Sequence, residues 1–422
     1  MSGDATPAPG VGRAVRLALG RIALVLGGLM VALVLVELGL RLAGPLIAPP
    51  GKPPADAADW RVLCVGDSFV YGLGSEDGRG MCEHLQELLD QRWGPGVASV
   101  HNEGVPGFNS SQVADRFDGW LERYDPQAVV LLVGHNNGWN FNDLHLGLVD
   151  GGAELWLARS LGGLRLVRLQ RLVTRYADDG GAGSGSQTLE PELEAWSKVA
   201  REASKKQKSS QQIQELEARL EAHPEDVFSM MRLALALDAS GRDGDALAWR
   251  ERARITDAAA VGRLEAAQYR VERFHQEQSH RGEDLHLRED PSADAALFRS
   301  LSADTPPDAL VDEQRRVLDA VLRADLEQMV ASARERGAAV VVSSYPQPKH
   351  ADGVLARTAA ELDLVFVDQQ TGFEKRLTAQ DDQSPWFVLD GHCTSAGYRI
   401  MAENLAPAVL ALRSAGVERS GG

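Results

Sequence analysis

The sequence predicts an α/β fold built on a parallel sheet. Short apolar runs alternate with segments of helical periodicity from residue 60, and the alternation returns near residue 312. The runs are almost continuously apolar, which is typical of parallel strands covered on both faces. Five runs are expected to be strands, at 62–66, 97–102, 128–134, 338–344 and 364–368. Ligands of such sheets bind at the carboxyl ends of the strands.

Composition narrows the class of protein. The chain has 422 residues, more than one average domain needs, so additional segments are expected. The net charge of −16 argues against a nucleic-acid partner, because such proteins normally present a basic face. The three cysteines, Cys64, Cys82 and Cys393, have no spacing typical of a zinc site or a disulfide framework.

The amino-terminal region has the pattern of a membrane anchor. Residues 1–21 are expected to form a cytoplasmic tail, 22–40 a transmembrane helix and 41–59 a proline-rich spacer. The apolar stretch is about as long as a bilayer requires. The arginines before it favour a cytoplasmic amino terminus, which places the rest of a single-pass protein in an extracytoplasmic (periplasmic) compartment. A cleaved signal peptide and a buried core helix are the alternatives.

The α/β domain is predicted to be split in two parts, 60–150 and 315–415. In the first part, helices are expected at 81–92 and 111–124, where Pro126 follows the helix end. In the second part they are expected at 312–337, 354–362 and 395–414, and Gly337 is a typical carboxyl-terminal signal. The two parts together have the size of one ordinary domain.

Residues 151–314 are predicted to be a helical insert. Helices are expected at 191–222, 227–240, 244–255 and 258–278. Small residues at Ala234, Ala246 and Ala253, with Gly241 in the turn, resemble a tetratricopeptide repeat around 210–257. Such a repeat would suit a protein partner. An ordinary helical hairpin is the alternative, and either must pack on its neighbours because one repeat does not bury its own face.

Four short motifs lie at or after the carboxyl ends of predicted strands. In chain order they are Gly66-Asp67-Ser68, Asn102 to Gly107, Gly134-His135-Asn136, and Asp390-Gly391-His392, which is followed by Gly397-Tyr398. Each one alone has a structural explanation as a turn, a helix cap or a surface ion pair. Together they supply a serine, a base that could activate it and an acid that could orient the base.

This set of motifs resembles the SGNH/GDSL hydrolase superfamily. The resemblance implies a flavodoxin-like three-layer α/β/α fold with five parallel strands, and a reaction without a cofactor or metal. It assigns Ser68 as nucleophile, His392 as general base and Asp390 as its orienting acid. Ser68 and Gly107 would contribute backbone N–H groups, and Asn136 its amide, to an oxyanion hole.

Two positions differ from the common family pattern. Asn137 stands where an aspartate is common after the third motif, and the last motif has one residue between acid and base instead of two. An extended backbone would place Asp390 and His392 on the same side, with Gly391 easing a bend.

Three functions fit these observations. The first is a membrane-anchored serine esterase that hydrolyses an acyl ester, an acetyl ester in particular, of a small molecule or a glycan. The second is an O-acyltransferase that uses the same triad on an extracytoplasmic glycan. The third is a non-catalytic tether whose helical insert binds a partner protein.

Overall fold

The computed structural model describes residues 58–146, 209–281, 309–377 and 383–420, together with positions 24, 27, 28, 31, 32, 35, 36, 38 and 39. The chain divides into two compact units, one of residues 1–52 with 152–185 and one of 53–151 with 186–422. In the first unit the described positions are helical and exposed. Among the described residues, no helix combines the length and the apolar character needed to cross a membrane. Most of the predicted transmembrane segment lies outside these residues.

The second unit contains a sheet of five parallel strands. The strands are β1 (Trp60–Gly66), β2 (Ala98–Gly104), β3 (Ala128–Leu132), β4 (Ala339–Ser343) and β5 (Val365–Val367). Their order across the sheet is β2-β1-β3-β4-β5. Strands β1 and β3 are almost wholly buried. Their continuous apolar sequences predict this burial.

Helices cover both faces of this sheet. They are α1 (Ser68–Tyr71), α2 (Met81–Trp93), α3 (Ser110–Tyr124), α4 (209–222), α5 (Val227–Ala239), α6 (Asp243–Arg281), α7 (Leu310–Glu335), α8 (His350–Glu361), α9 (Gln369–Leu377) and α10 (Ser395–Ser420). A 3₁₀ turn spans His135–Gly138. The three-layer α/β/α fold predicted from the sequence is therefore confirmed, with α1 and α9 as two helices that the sequence patterns did not indicate.

The described part of the predicted insert is helical. In α5 and α6, Ala234, Ala246 and Ala253 are fully buried, and Gly241 has a left-handed φ of 78° in the turn between the helices. Side chains without bulk at these positions let two antiparallel helices approach closely. Asp257 has non-helical dihedral angles within α6, near the point where two separate helices were predicted. The likeness to a tetratricopeptide repeat stays a prediction.

The helical insert packs directly on the α/β domain. Val271 and Ala267 of α6 form a buried apolar cluster with Leu73 and Val388, which belong to the loops after β1 and before α10. Arg263 donates a hydrogen bond to Ser384, and Gln383 donates one to the buried Asp226 at the start of α5. The insert thus contacts the two loops that carry the serine and histidine motifs.

Candidate active site

Ser68 begins a short helix at the carboxyl end of β1. The preceding residue, Asp67, caps this helix by accepting a hydrogen bond from the N–H of Phe69 at 3.0 Å. Gly66 permits the tight exit from the strand, since a Cβ at this position would lie 2.1 Å from the carbonyl oxygen of Leu132. The serine side chain is therefore held at the edge of the sheet where the strands of such folds present ligands.

The Asp67 carboxylate is buried and bound from two directions. Besides the bond from Phe69, it accepts one from the Tyr345 hydroxyl at 2.6 Å, and the Tyr345 oxygen in turn accepts one from the N–H of His135. Burial raises the pKa of Asp67 to about 6, although both hydrogen bonds act in the opposite direction. This network ties the nucleophile turn to the loops after β3 and β4.

The imidazole of His392 contacts the serine hydroxyl. Its Nε2 lies 2.7 Å from Oγ of Ser68, although 324 residues separate the two positions in the chain. The ring of Phe69 stacks on the imidazole with ring centroids 4.7 Å apart. The histidine loop is also held by one backbone hydrogen bond, from the N–H of Val388 to the carbonyl of His392, and by an antiparallel β-bridge between Phe387 and Cys393. The separation of 2.7 Å between Nε2 of His392 and Oγ of Ser68 is short enough for proton transfer from the oxygen to the nitrogen.

Asp390 reaches His392 through a tight turn. Its Oδ1 accepts a hydrogen bond from the backbone N–H of His392 at 3.0 Å and lies 2.9 Å from the ring Nδ1. Within the described residues Nδ1 has no partner in hydrogen-bond geometry, so it meets the Asp390 carboxylate at close range without an aligned hydrogen bond. Burial alone would raise the pKa of Asp390, but its contacts with His392 outweigh burial and lower the pKa below its ordinary value.

The expectation of an extended backbone at this motif is wrong. Gly391 has a φ of 93°, in the left-handed region that glycine adopts without strain. The chain therefore bends between the acid and the base, and the carboxylate folds back over the backbone of His392. This turn brings Asp390 to the imidazole with a single intervening residue.

The structure places Gly107 and Asn136 in a buried, hydrogen-bonded pair of loops. Gly107 has a φ of 81°, and its carbonyl accepts a bond from Asn140 at 2.7 Å. The Asn136 amide donates to the carbonyl of Phe108 at 2.9 Å, and its oxygen accepts from the indole of Trp139. One of the two amide hydrogens accounts for the bond to Phe108, which leaves the second available to a ligand.

Some members of this site have only weak sequence signals. Tyr345 comes shortly after an apolar run, and this position could have indicated that it lies at the carboxyl edge of the sheet. Asn140 lies four residues after Asn136 and resembles an ordinary turn residue in the sequence. Within the described parts of the chain, no group of three or more histidine, cysteine or acidic side chains has the arrangement of a metal site.

A serine, an imidazole and a carboxylate in contact at the carboxyl edge of a parallel sheet define the class of α/β serine hydrolases. Comparison with known families agrees with this class. A family model described as the GDSL-like Lipase/Acylhydrolase family matches residues 64–294, more than half of the chain, and the chain belongs to this family. The match includes Ser68, Gly107 and Asn136 and ends before the histidine loop. No curated protein matches the chain.

Proposed function

We propose that this protein is a serine esterase that hydrolyses an acetyl ester through an acyl-serine intermediate, with Ser68, His392 and Asp390 as its triad. Membership of an acylhydrolase family supports ester hydrolysis in general. The observation that carries the assignment of residues is the 2.7 Å separation between Oγ of Ser68 and Nε2 of His392.

The reaction starts when Oγ of Ser68 attacks the ester carbonyl carbon and its proton passes to Nε2 of His392. The tetrahedral intermediate then collapses, the bond to the alcohol oxygen breaks, and the imidazolium gives its proton to the leaving alcohol. In the second half His392 accepts a proton from water, and the resulting hydroxide attacks the acyl carbon. The new tetrahedral intermediate then collapses, the bond from the acyl carbon to Oγ breaks, and the imidazolium returns its proton to Oγ as the carboxylic acid leaves. The Asp390 carboxylate stabilises the imidazolium in both halves.

The negative charge of the tetrahedral oxygen needs preorganised donors. We assign the backbone N–H groups of Ser68 and Gly107 and the second amide hydrogen of Asn136 to this role. The bonds from Asn140 to Gly107 and from Asn136 to Phe108 hold these groups in position. Loss of one such donor typically reduces kcat by about 10²–10³-fold.

The proposal is tested with the full-length chain, purified in a mild detergent, and 4-nitrophenyl acetate. We expect release of 4-nitrophenol, its loss in Ser68→Ala, and retention in the matched control Ser240→Ala. Ser240 lies in the turn after α5, where its hydroxyl donates to the carbonyl of Leu237. A fluorophosphonate probe should modify Ser68, as identified by peptide mass spectrometry. Hydrolysis that persists in Ser68→Ala would refute the assignment.

Two variations of this assay define the reaction further. A series of 4-nitrophenyl esters from acetate to octanoate measures which acyl length the enzyme prefers. A preference for a long chain would contradict the acetyl proposal. A sugar alcohol added as acceptor measures acyl transfer, and its acetylation in preference to hydrolysis would show a transferase instead.

We also propose that residues 22–40 anchor the protein and that the esterase faces an extracytoplasmic compartment. The length of the apolar stretch and the preceding arginines support this orientation. Cell fractionation followed by protease treatment of intact cells, with and without permeabilisation of the envelope, tests it. Recovery of the intact chain in the soluble cytoplasmic fraction would contradict it.

A further inference from the structure

Two basic side chains lie beside the histidine loop. Lys349, in the segment after β4, places its Nζ 5.9 Å from the centroid of the Phe69 ring, which also stacks on His392. The same ammonium group would be 3.7 Å from a Cβ placed on Gly391, between the acid and the base of the proposed triad. Lys349 is therefore adjacent to the reacting groups.

The second cation is supplied by the helical insert. Arg232 of α5 donates from Nη1 to Oε1 of Gln347 at 3.1 Å, and its guanidinium carbon lies 5.5 Å from the centroid of the Phe228 ring. A Cβ on Gly391 would lie 3.0 Å from that same Gln347 oxygen. Gln347 thus links Arg232 to the turn that carries His392.

No carboxylate pairs with either cation within the described ranges. The nearby acids have other partners: Asp390 is in contact with His392, Asp226 accepts from Arg219 at 2.6 Å, and Asp352 accepts from two backbone N–H groups. Both cations are half-buried. Burial and the neighbouring charge of Arg232 together lower the pKa of Lys349 to about 8, against the opposing charges of Asp390, Asp352 and Asp67. Two like charges at a half-buried site repel each other, and an anion bound by both would offset this repulsion.

We propose that Arg232 and Lys349 bind a carboxylate or phosphate group of the ester substrate beside His392. This inference rests on the proposed esterase function and specifies its substrate class as esters that carry a negative charge. A guanidinium binds such groups through two parallel N–H donors, and an ammonium adds a compact charge. Because the whole chain has a net charge of −16, its overall field repels anions, so selection of an anionic ester requires a local site.

Matched pairs of esters test the proposal on the full-length enzyme. With the charge on the acyl side, the pair is 4-nitrophenyl hydrogen glutarate and its methyl ester. With the charge on the alcohol side, the pair is 3-acetoxybenzoate and its methyl ester. We expect kcat/KM at least about tenfold higher for the anionic member of one pair, and the pair identifies the side that carries the charge. Equal or lower values for the anionic member of both pairs would overturn the proposal.

Variants assign this preference to the two cations. The ratio of anionic to neutral kcat/KM should fall towards one in Arg232→Gln and in Lys349→Gln, and Arg232→Lys should retain part of it. The control Arg250→Gln, which removes a half-buried guanidinium paired with Asp238, should leave the ratio as in wild type. A ratio unchanged in both Gln variants would overturn the assignment. Because the readout is a ratio, a general loss of folded enzyme does not imitate the expected result.

A binding measurement separates this inference from the esterase proposal. Calorimetric titration of Ser68→Ala with glutarate and with inorganic phosphate does not depend on turnover. We expect binding of at least one anion, and its loss when Arg232→Gln is added. If wild type hydrolyses none of the esters but this binding is observed, the esterase proposal fails and the anion site stands. Absence of binding of both anions would overturn the site.

Discussion

Replacing Asp67 by asparagine should make the protein less stable than wild type in mild acid and more stable at neutral pH. The wild-type carboxyl is completely buried beside the nucleophile turn, and burial raises its pKa from an ordinary 3.8 to about 6. Because the folded protein binds this proton more tightly than the unfolded chain, the free energy of unfolding falls as pH rises through this range. The asparagine side chain does not titrate, so its contribution to the free energy of unfolding should not change with pH.

The size of the effect follows from the pKa difference. About two pKa units at about 1.4 kcal/mol each correspond to about 3 kcal/mol lost by wild type in total, most of it between pH 4 and pH 7. Asparagine cannot accept both present hydrogen bonds, from Phe69 and from Tyr345, and losing one costs about 1 kcal/mol at every pH. The variant should therefore be about 1 kcal/mol less stable near pH 4 and about 2 kcal/mol more stable near pH 7.

Urea unfolding at several pH values between 4 and 7.5 measures this difference directly. Subtracting the two proteins at each pH cancels the titration of all other groups. Tyr345→Phe provides a second test. Loss of its hydroxyl donor should raise the pKa of Asp67 further and enlarge the fall in the free energy of unfolding as pH rises. The same change in the Asp67→Asn background should add no pH dependence. A stability difference between wild type and Asp67→Asn that is constant from pH 4 to 7.5 would refute this reasoning.

Three other substitutions have distinct expected outcomes. Gly391→Ala forces a side chain into a left-handed conformation near Gln347, so urea unfolding should show a loss of about 1–2 kcal/mol together with a lower kcat. Asp390→Asn should lower kcat by about 10⁴-fold, less than Ser68→Ala, in steady-state assays, and an unchanged kcat would contradict its assignment. Despite burial, bonds to Asp115 and Asp325 raise the pKa of His145 to about 10, above its ordinary 6.5, so its stabilising contribution is complete below pH 6.5 and lost towards pH 10. The stability difference between wild type and His145→Gln should accordingly shrink between pH 7 and 10, and a constant difference would contradict it.

The sheet could be predicted from the sequence because its strands are buried on both faces. Continuous apolar runs predicted the first strand at 62–66 and the fourth at 338–344, and the structure has them at Trp60–Gly66 and Ala339–Ser343. Polar residues at strand ends then indicated where Ser68 would lie. The position of His392 followed from the order of motifs, since no local pattern links residues so far apart in the chain.

The contacts between distant segments were beyond such reasoning. The bond between Asp67 and Tyr345 depends on the packing of the loops after β1 and β4, which sequence periodicity does not describe. Arg232 lies on a helix whose sequence is otherwise almost continuously apolar, and its position near Gln347 depends on how the insert docks. The sequence favoured an extended backbone at Asp390 and His392, and the left-handed φ of 93° at Gly391 was not predicted.

The described helices of the insert lie at the edge of the sheet that carries the candidate active site. The insert follows β3, the central strand of the sheet, and the chain leaves β3 at the same edge at which β1 presents Ser68. The cluster of Val271 with Leu73 and Val388 shows that α6 lies against the loops at this edge. The α/β domain supplies the serine, the imidazole and the carboxylate, whereas α5 supplies Arg232 beside them. On the role that we propose for Arg232, sequence changes in the insert would alter which esters are selected without altering the reaction.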